Sequence, residues 1–297
     1  MTRTTPRPLL AALWLALAAP ALAPMLAPML AHAAPAAPDP VNPKPTRADW
    51  AAIADQPDLS GVWTPGPLDK YAPGNTTEPK WLPAIKPIYE RLKQLDAEGR
   101  PQNIWVDCLP EGLPSSWTQT LNSVEFLPTP GRITILGELD GNRQRRVWTD
   151  GRAHPADPDP SFSGHSIGHW EGQTLVIDTI GFLPQVYIST AQGVGIPNNG
   201  DMHVVERITL TGPDSARVDL VVDAPHVLAE PWKASRTLIR HRDRSFDLAE
   251  SSCRQGDFLE GRDKDGLAIW VPLPKDDGGA RLPLDQAAIP ASKEQKR

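Results

Sequence analysis

From about residue 120 onward the chain is a succession of short β-prone runs, and no other feature constrains its fold as strongly. The runs are SVEFLPTP, GRITILGEL, RQRRVWTD, GHSIGHW, TLVIDTIGF, HVVERITLT, ARVDLVVDA, KASRTLIRH and RSFDLAESS. Clusters of Gly, Pro, Asp and Asn separate them, and LDGN, WEGQ, TGPDS and RHRDRS have the composition of tight connections between neighbouring strands. With LSGVW (59–63) as an opening strand, about ten strands follow in antiparallel succession. Helical patterns do not alternate with the strands, which disfavours a doubly wound parallel sheet. A meander this long has to hide its edges, and closing into an up-and-down β-barrel does so. An open β-sandwich is the alternative.

One helical pattern stands out, in EPKWLPAIKPIYERLKQLDAEGR. Ile85, Ile88, Leu92 and Leu95 recur at three- and four-residue spacing, Pro87 lies near the start, and Gly99 follows as a stop. The pattern predicts a mainly β protein with one helix inserted after the first strand. Residues 58–275 would form the barrel domain. Residues 34–57, rich in Ala, Pro and Asp, read as a linker, and residues 276–297 as a loose tail. Residues 1–33 read as a secretory signal peptide, with Arg3 and Arg7 at the start, an apolar middle and Ala31-His32-Ala33 at the cleavage point. Cleavage after Ala23 is the alternative. Pro20, Pro24 and Pro28 interrupt any helix long enough to anchor the chain in a bilayer. The expected compartment is therefore periplasmic or secreted, with no membrane attachment after cleavage.

The chain has 30 Lys+Arg against 36 Asp+Glu, a formal net charge of −6. This balance argues against non-specific nucleic-acid binding, which needs dense positive charge. There are two cysteines, Cys108 and Cys253. In an oxidising compartment the pair reads first as a disulfide closing a long loop, worth roughly 4–5 kcal/mol in the chain-entropy picture. Two free buried thiols are the alternative, and a pair so far apart makes no zinc motif.

Two resemblances add to this. Gly61 and Trp63 in LSGVW resemble the Gly-x-Trp element that opens lipocalin-like (calycin) barrels, where the tryptophan closes the barrel base. A wider resemblance spans roughly residues 58–255. DLSGVW, CLPEGLP, DGRAHPADPDPSFSGHSIGHWEGQTLVIDT and HVVERITL, followed by Pro231-Trp232 and Cys253, look like a family of exported bacterial proteins of unassigned function. Gln173 stands where that pattern has Asp, so position 173 supplies no carboxylate here. The resemblance implies compartment and fold, and no reaction.

The chemistry concentrates in GHSIGHWEGQTLVIDT. On a helix, His165 and His169 would sit on one face. Here the Gly and β-branched neighbours favour strand, and four strand residues advance the chain by roughly 13 Å. The two rings therefore cannot share one ion, and no metal site is expected. The stretch reads as a hairpin turning at Gly172. With Glu171-Gly172 central, His165 lies opposite Asp178; with Gly172-Gln173 central, Ile167 does. Both registers put His165, His169, Val176 and Asp178 on one face, and Ser166, Trp170, Leu175 and Ile177 on the other. In HVVERI, Glu206 and Arg207 are adjacent and must point opposite ways, while His203 and Arg207 can share a face. His154 lies in a Pro-rich loop able to fold over a barrel mouth. His169, His226 and His241 read as structural or solvated, and Arg236, Arg240 and Arg242 as a solvated strand face. Trp63, Trp148, Trp170 and Trp232 fall on strands or their ends, where packing accounts for most tryptophans.

These residues set an expectation of a small, partly hydrophobic organic molecule held in a barrel cavity. Catalysis without a cofactor would use His165 or His203 as acid or base, Asp178 as the orienting carboxylate and Arg207 as an anion stabiliser, the chemistry of a lyase, isomerase or hydrolase. His154, Glu206 and Trp170 are the candidate ligand contacts. A non-catalytic carrier on the same fold is the alternative, and a histidine-bound metal or haem ranks last. Nucleophile-elbow, phosphate-loop and dinucleotide motifs are absent, and the sequence leaves the oligomeric state open.

Overall fold

A computed structural model describes residues 44–65, 78–102, 104–118, 123–138, 143–191, 194–250 and 259–270. The chain divides into two units, residues 1–44 and 45–297; the second is described below. The expected signal peptide, most of the expected linker, the expected C-terminal tail and Cys253 lie outside the described residues. Cys108 is disulfide-bonded. None of the described helices is long and apolar enough to cross a membrane.

Among the described residues, nine strands close into one barrel: β1 (Gly61–Pro65), β2 (Val124–Thr129), β3 (Arg132–Gly137), β4 (Gln144–Trp148), β5 (His165–Glu171), β6 (Thr174–Ile180), β9 (His203–Gly212), β10 (Ser215–Asp223) and β11 (Trp232–Arg240). A hairpin of β7 (Tyr187–Ala191) and β8 (Val194–Pro197) and a small pair of β12 (Leu259–Arg262) and β13 (Ala268–Trp270) stand apart from it. The barrel order is β1-β11-β10-β9-β6-β5-β4-β3-β2. Alternation sets the inner face. Val218, Leu220 and Val222 of β10, Leu175 and Ile177 of β6, and Val204 and Ile208 of β9 are buried inside, each such side chain contributing about 1.5–3 kcal/mol of apolar burial.

The barrel departs from the expected meander at one place. β4 and β5 run parallel, and their pairing covers only Val147↔Ser166 and Trp148↔Ile167. Parallel neighbours need a crossover between them, and residues 149–164 supply it. The Asp- and Pro-rich composition of that segment predicts a loop but does not encode the direction in which the chain returns. RSFDLAESS forms no strand within the described residues, and β7–β8 and β12–β13 were not anticipated.

Helix α2 (Lys86–Ala97) stands between β1 and β2 with a proline in its first turn. It buries Tyr89 and Leu95, while Ile88 is 52% exposed. The stripe predicted from spacing is thus rotated toward Tyr89, whose hydroxyl reaches Thr190 Oγ1 at 2.8 Å. A 3-10 turn (Ile104–Asp107) and the short helix α3 (Ser115–Thr118) follow. Part of the expected linker is helix α1 (Arg47–Ala54), closed by a Thr46/Asp49 capping box and burying no residue.

The two barrel ends are closed differently. At one end Trp63 is fully buried, donates to Leu59 O at 2.9 Å, and lies under the Arg240 guanidinium, 4.4 Å from its ring centre. Arg240 is in turn paired with Asp58 at 2.6 Å. Partial burial pushes the Asp58 carboxyl up, but bonds from Ser60 and Arg240 outweigh it and hold the group below the usual carboxylate range. At the other end α3 is tied to β7, with Ser115 Oγ donating to Tyr187 O at 2.7 Å and Thr118 Oγ1 to Ser189 O at 2.6 Å. This places Trp117 in the barrel as a stopper, stacked with Phe126 at 6.4 Å.

Candidate functional site

The β5–β6 hairpin pairs Glu171 with Thr174, leaving Gly172 and Gln173 as its two-residue loop, with Gly172 at φ +59°. Ile167, not His165, therefore lies opposite Asp178. Ser166, Leu175, Ile177 and Thr179 are buried inside the barrel. The face that carries His165, His169, Val176 and Asp178 consequently looks outward, so His165 and Asp178 do not act from inside the barrel as the catalytic scheme in a barrel cavity required. β9 behaves likewise: Glu206 is fully buried inside, and His203, Val205 and Arg207 lie outside.

The outer face still gathers the histidines, because the β4–β5 crossover brings His154 against it and not over the barrel mouth. His154 Nε2 lies 2.9 Å from Asp178 Oδ1, and His203 Nε2 lies 3.0 Å from Asp178 Oδ2. His154 Nδ1 lies 2.8 Å from His165 Nδ1. His165, His154, Asp178 and His203 thus form one chain of hydrogen bonds. Its tautomers follow from its chemistry. The carboxylate only accepts, so both facing Nε2 atoms carry protons. A neutral His154 then accepts at Nδ1, which requires His165 to donate from Nδ1 and leaves the His165 lone pair on Nε2. The His154 side chain is 16% exposed, against 40% for Asp178 and 44% for His203. Among the described residues no group of His, Cys, Asp and Glu side chains is arranged to hold a metal ion.

His165 is also where this chain meets a cavity. A void of about 480 Å³ lies at the β4–β5 seam, between Arg143–Arg146 on one side and Ser161–Ser166 on the other. Its apolar lining includes Leu113, Trp117, Ile135 and Phe162. Gly164, at φ +65°, immediately precedes β5 there. A Cβ on it would meet Ile180 O and Thr179 Cγ2 at 2.7 Å, so the crossover can rejoin the sheet only through glycine at this point. Trp148 lines the same cavity, with the Arg152 guanidinium 3.8 Å from its ring centre. Hydrogen bonds from Arg152 hold the Asp150 carboxyl below its ordinary value.

Arg145, Trp117 and Ser166, which also line the cavity, form a second polar cluster around the buried Glu206, and of these sequence reasoning singles out only Glu206 as a polar contact. Arg145 Nη1 donates to Glu206 Oε1 at 2.8 Å, and Nη2 pairs with Glu206 Oε2. Arg145 also donates to Ser166 Oγ at 3.0 Å and Thr179 Oγ1 at 2.9 Å. Trp117 Nε1 donates to Glu206 Oε1 at 2.6 Å. Arg145 shares the inward parity of Val147 in RQRRVW, so a charge on an apolar face was the available signal.

Other candidates are placed elsewhere. Arg207 pairs with Glu171 at 2.7 Å on the exposed outer face and does not join His203. Bonds from Arg207 and then His169 hold the Glu171 carboxyl below its usual value. Trp170 is near α1, donating to Gln56 Oε1 at 3.1 Å, and does not line the cavity. Glu206 is shielded behind Arg145, Trp117 and Ser166. Arg236 and Arg240 are buried, not solvated: Arg236 donates to Trp117 O at 2.6 Å, while only Arg242 of that trio is exposed. His226 pairs with exposed Asp201, and His241 contacts Thr64 Oγ1 at 2.6 Å and stacks on Phe246. No protein-family model and no curated protein matches the chain.

Proposed function

We propose that the protein acts on a small, partly hydrophobic organic molecule held in the seam cavity, with His165 as the acid–base group. One observation carries the reading: His165 both lines the cavity and is joined through His154 to Asp178 and His203. The His165 Nε2 lone pair would take a proton from the bound molecule, whose electron pair stays behind on the substrate. The resulting imidazolium is supported through His154 by the Asp178 carboxylate. Return of the proton elsewhere on the substrate is an isomerisation, and its delivery to a leaving group is an elimination; the same base activates water in a hydrolysis. His154 and Asp178 are positioning residues, and Arg207 has no part in this scheme. No redox cofactor is required by it.

The second reading is a carrier. It is favoured by the apolar lining and by the fully engaged Arg145–Glu206 pair, which offers the ligand no reactive group. We also propose that the protein is exported after removal of residues 1–33, that Cys108 pairs with Cys253, and that the chain shares its fold with the lipocalin-like and exported bacterial families it resembles. Support comes from the leader-like sequence, the disulfide at Cys108 and the buried Trp63.

The test is a screen of small organic compounds for thermal stabilisation, followed by NMR of each binder in deuterated water. The catalytic reading expects deuterium incorporation or conversion in wild type, lost in His165→Gln while binding persists. Binding with no chemical change in either protein would leave the carrier. No stabilisation by any compound would remove both.

A further inference from the structure

The charges at the rim of this cavity select the ligand further. Four arginine or glutamate residues line the cavity beside or on β4: Glu138 just after β3, Arg143 just before β4, and Arg145 and Arg146 on β4. Two are committed inside the protein. Arg145 is occupied by Glu206, Ser166 and Thr179. Glu138 accepts from the backbone N–H of Ser123 at 3.0 Å and of Ala249 at 2.8 Å, one on each carboxylate oxygen. The remaining acid of the lining, Glu111, is buried at 8% exposure and has a partner. Arg143 and Arg146 are exposed, and among the described residues neither has an ion-pair or side-chain hydrogen-bond partner. Arg143 and Arg146 therefore present two guanidinium groups without a described partner on the β4 side of the cavity.

The strand geometry adds polar groups. Only Val147 and Trp148 of β4 pair with β5, so the backbone from Gln144 to Arg146 has no partner on its β5 side among the described strands. The cavity occupies that gap. The opposite wall carries Trp117, Leu113 and Phe162. A cationic edge facing an apolar wall across a space of about 480 Å³ suits one amphiphilic molecule of ordinary ligand size.

We infer that the seam cavity recognises an organic carboxylate, its head group held by the Arg143 and Arg146 guanidinium groups at the open edge of β4 and its apolar body packed toward Trp117. The inference rests on the cavity reading above and names its substrate class. Guanidinium forks match a carboxylate in geometry and charge, and desolvation by the apolar wall strengthens the pairing. The same placement would bring the carbon next to the carboxylate toward the His165 side of the seam.

The experiment compares acid and primary amide of the same body, in three series: an aryl propanoate, a straight-chain alkanoate and an alicyclic carboxylate. Binding is read by calorimetry and by tryptophan fluorescence at low and high salt. In the series that binds, the acid should bind at least tenfold more tightly than the amide, and salt should weaken the acid alone. Arg143→Ala/Arg146→Ala should erase the preference while leaving amide affinity unchanged, and Arg143→Lys/Arg146→Lys should restore part of it. Equal affinity for acid and amide, or a preference that survives the double alanine variant, overturns the inference and leaves the cavity reading standing. Failure of every acid and every amide to bind overturns both.

Discussion

Two polar clusters lie back to back on the same strands and meet opposite fates. Ser166, Thr179 and Glu206 face into the barrel, and their sequence neighbours His165, Asp178 and Val205 face out. Inside, every oxygen of Glu206 is met by Arg145 or Trp117, and water is excluded. Outside, His154, Asp178 and His203 form a comparable chain of bonds with one side open to water. A buried ion pair is costly to break because the surviving partner has no solvent to turn to. A half-exposed chain can gain or lose a proton with little structural penalty. The inner cluster is thus suited to fixing the barrel, and the outer one to chemistry.

That contrast is open to direct tests, the largest effect first. Glu206→Gln should destabilise the fold by about 3–5 kcal/mol, because the Arg145 guanidinium is left uncompensated. Urea unfolding measures this, and a loss within experimental error would mean that the inner pair is solvated. Arg145→Met combined with Glu206→Leu should recover most of the loss, since both charges leave together. Trp117→Phe removes one bond to a charged acceptor and should cost about 1.5–3 kcal/mol. It should also quench less fluorescence on ligand binding.

On the outer face the same chemistry should barely touch stability. Asp178→Asn should change the unfolding free energy by under about 1 kcal/mol. Its effect belongs in the imidazole ¹⁵N spectrum: wild type should show His165 protonated at Nδ1, and the variant should show mixed tautomers. Unchanged tautomers would break the proposed link from Asp178 through His154 to His165.

The smallest effect is expected at Glu171 and Arg207. Arg207→Ala should lower the unfolding midpoint only slightly, as for an exposed pair, and raise the titration of the Glu171 carboxyl toward its ordinary value. The sign follows from linkage. A carboxyl held low in the folded state adds stability above its unfolded pKa, and loses it as pH falls through the lower folded value. Carboxyl NMR of the two proteins would measure the shift.

Parts of the site were legible before any coordinates. Alternation put Glu206 and Arg207 on opposite faces of one strand, and the faces of the hairpin grouped His165 with Asp178. The Gly and β-branched neighbours of His165 and His169 placed both on one strand, as β5 has them. The register, by contrast, turned on one residue of loop, and Gly172 fits either choice. Arg236 and Arg240 read as solvated because arginine is rarely buried, although they share the inward parity of Ala234 and Leu238. Arg145 and Trp117 were missed for a related reason: each becomes part of a cluster only through partners far away in sequence.

By itself the sequence determined a mainly β chain that closes into a barrel, since alternating apolar runs and turn residues act locally and unpaired edges are unfavourable. It determined which side chains share a face along each strand. Only the tertiary structure decided which face is inside, because that depends on which strands become neighbours. It alone made β4 and β5 parallel, and that one reversal sends residues 149–164 across the outside of the barrel. The crossover delivers His154 to Asp178 and leaves a gap in the wall where His165 meets a cavity. Closure of a barrel is a property of all its strands at once, so no local pattern encodes where its seam will fall.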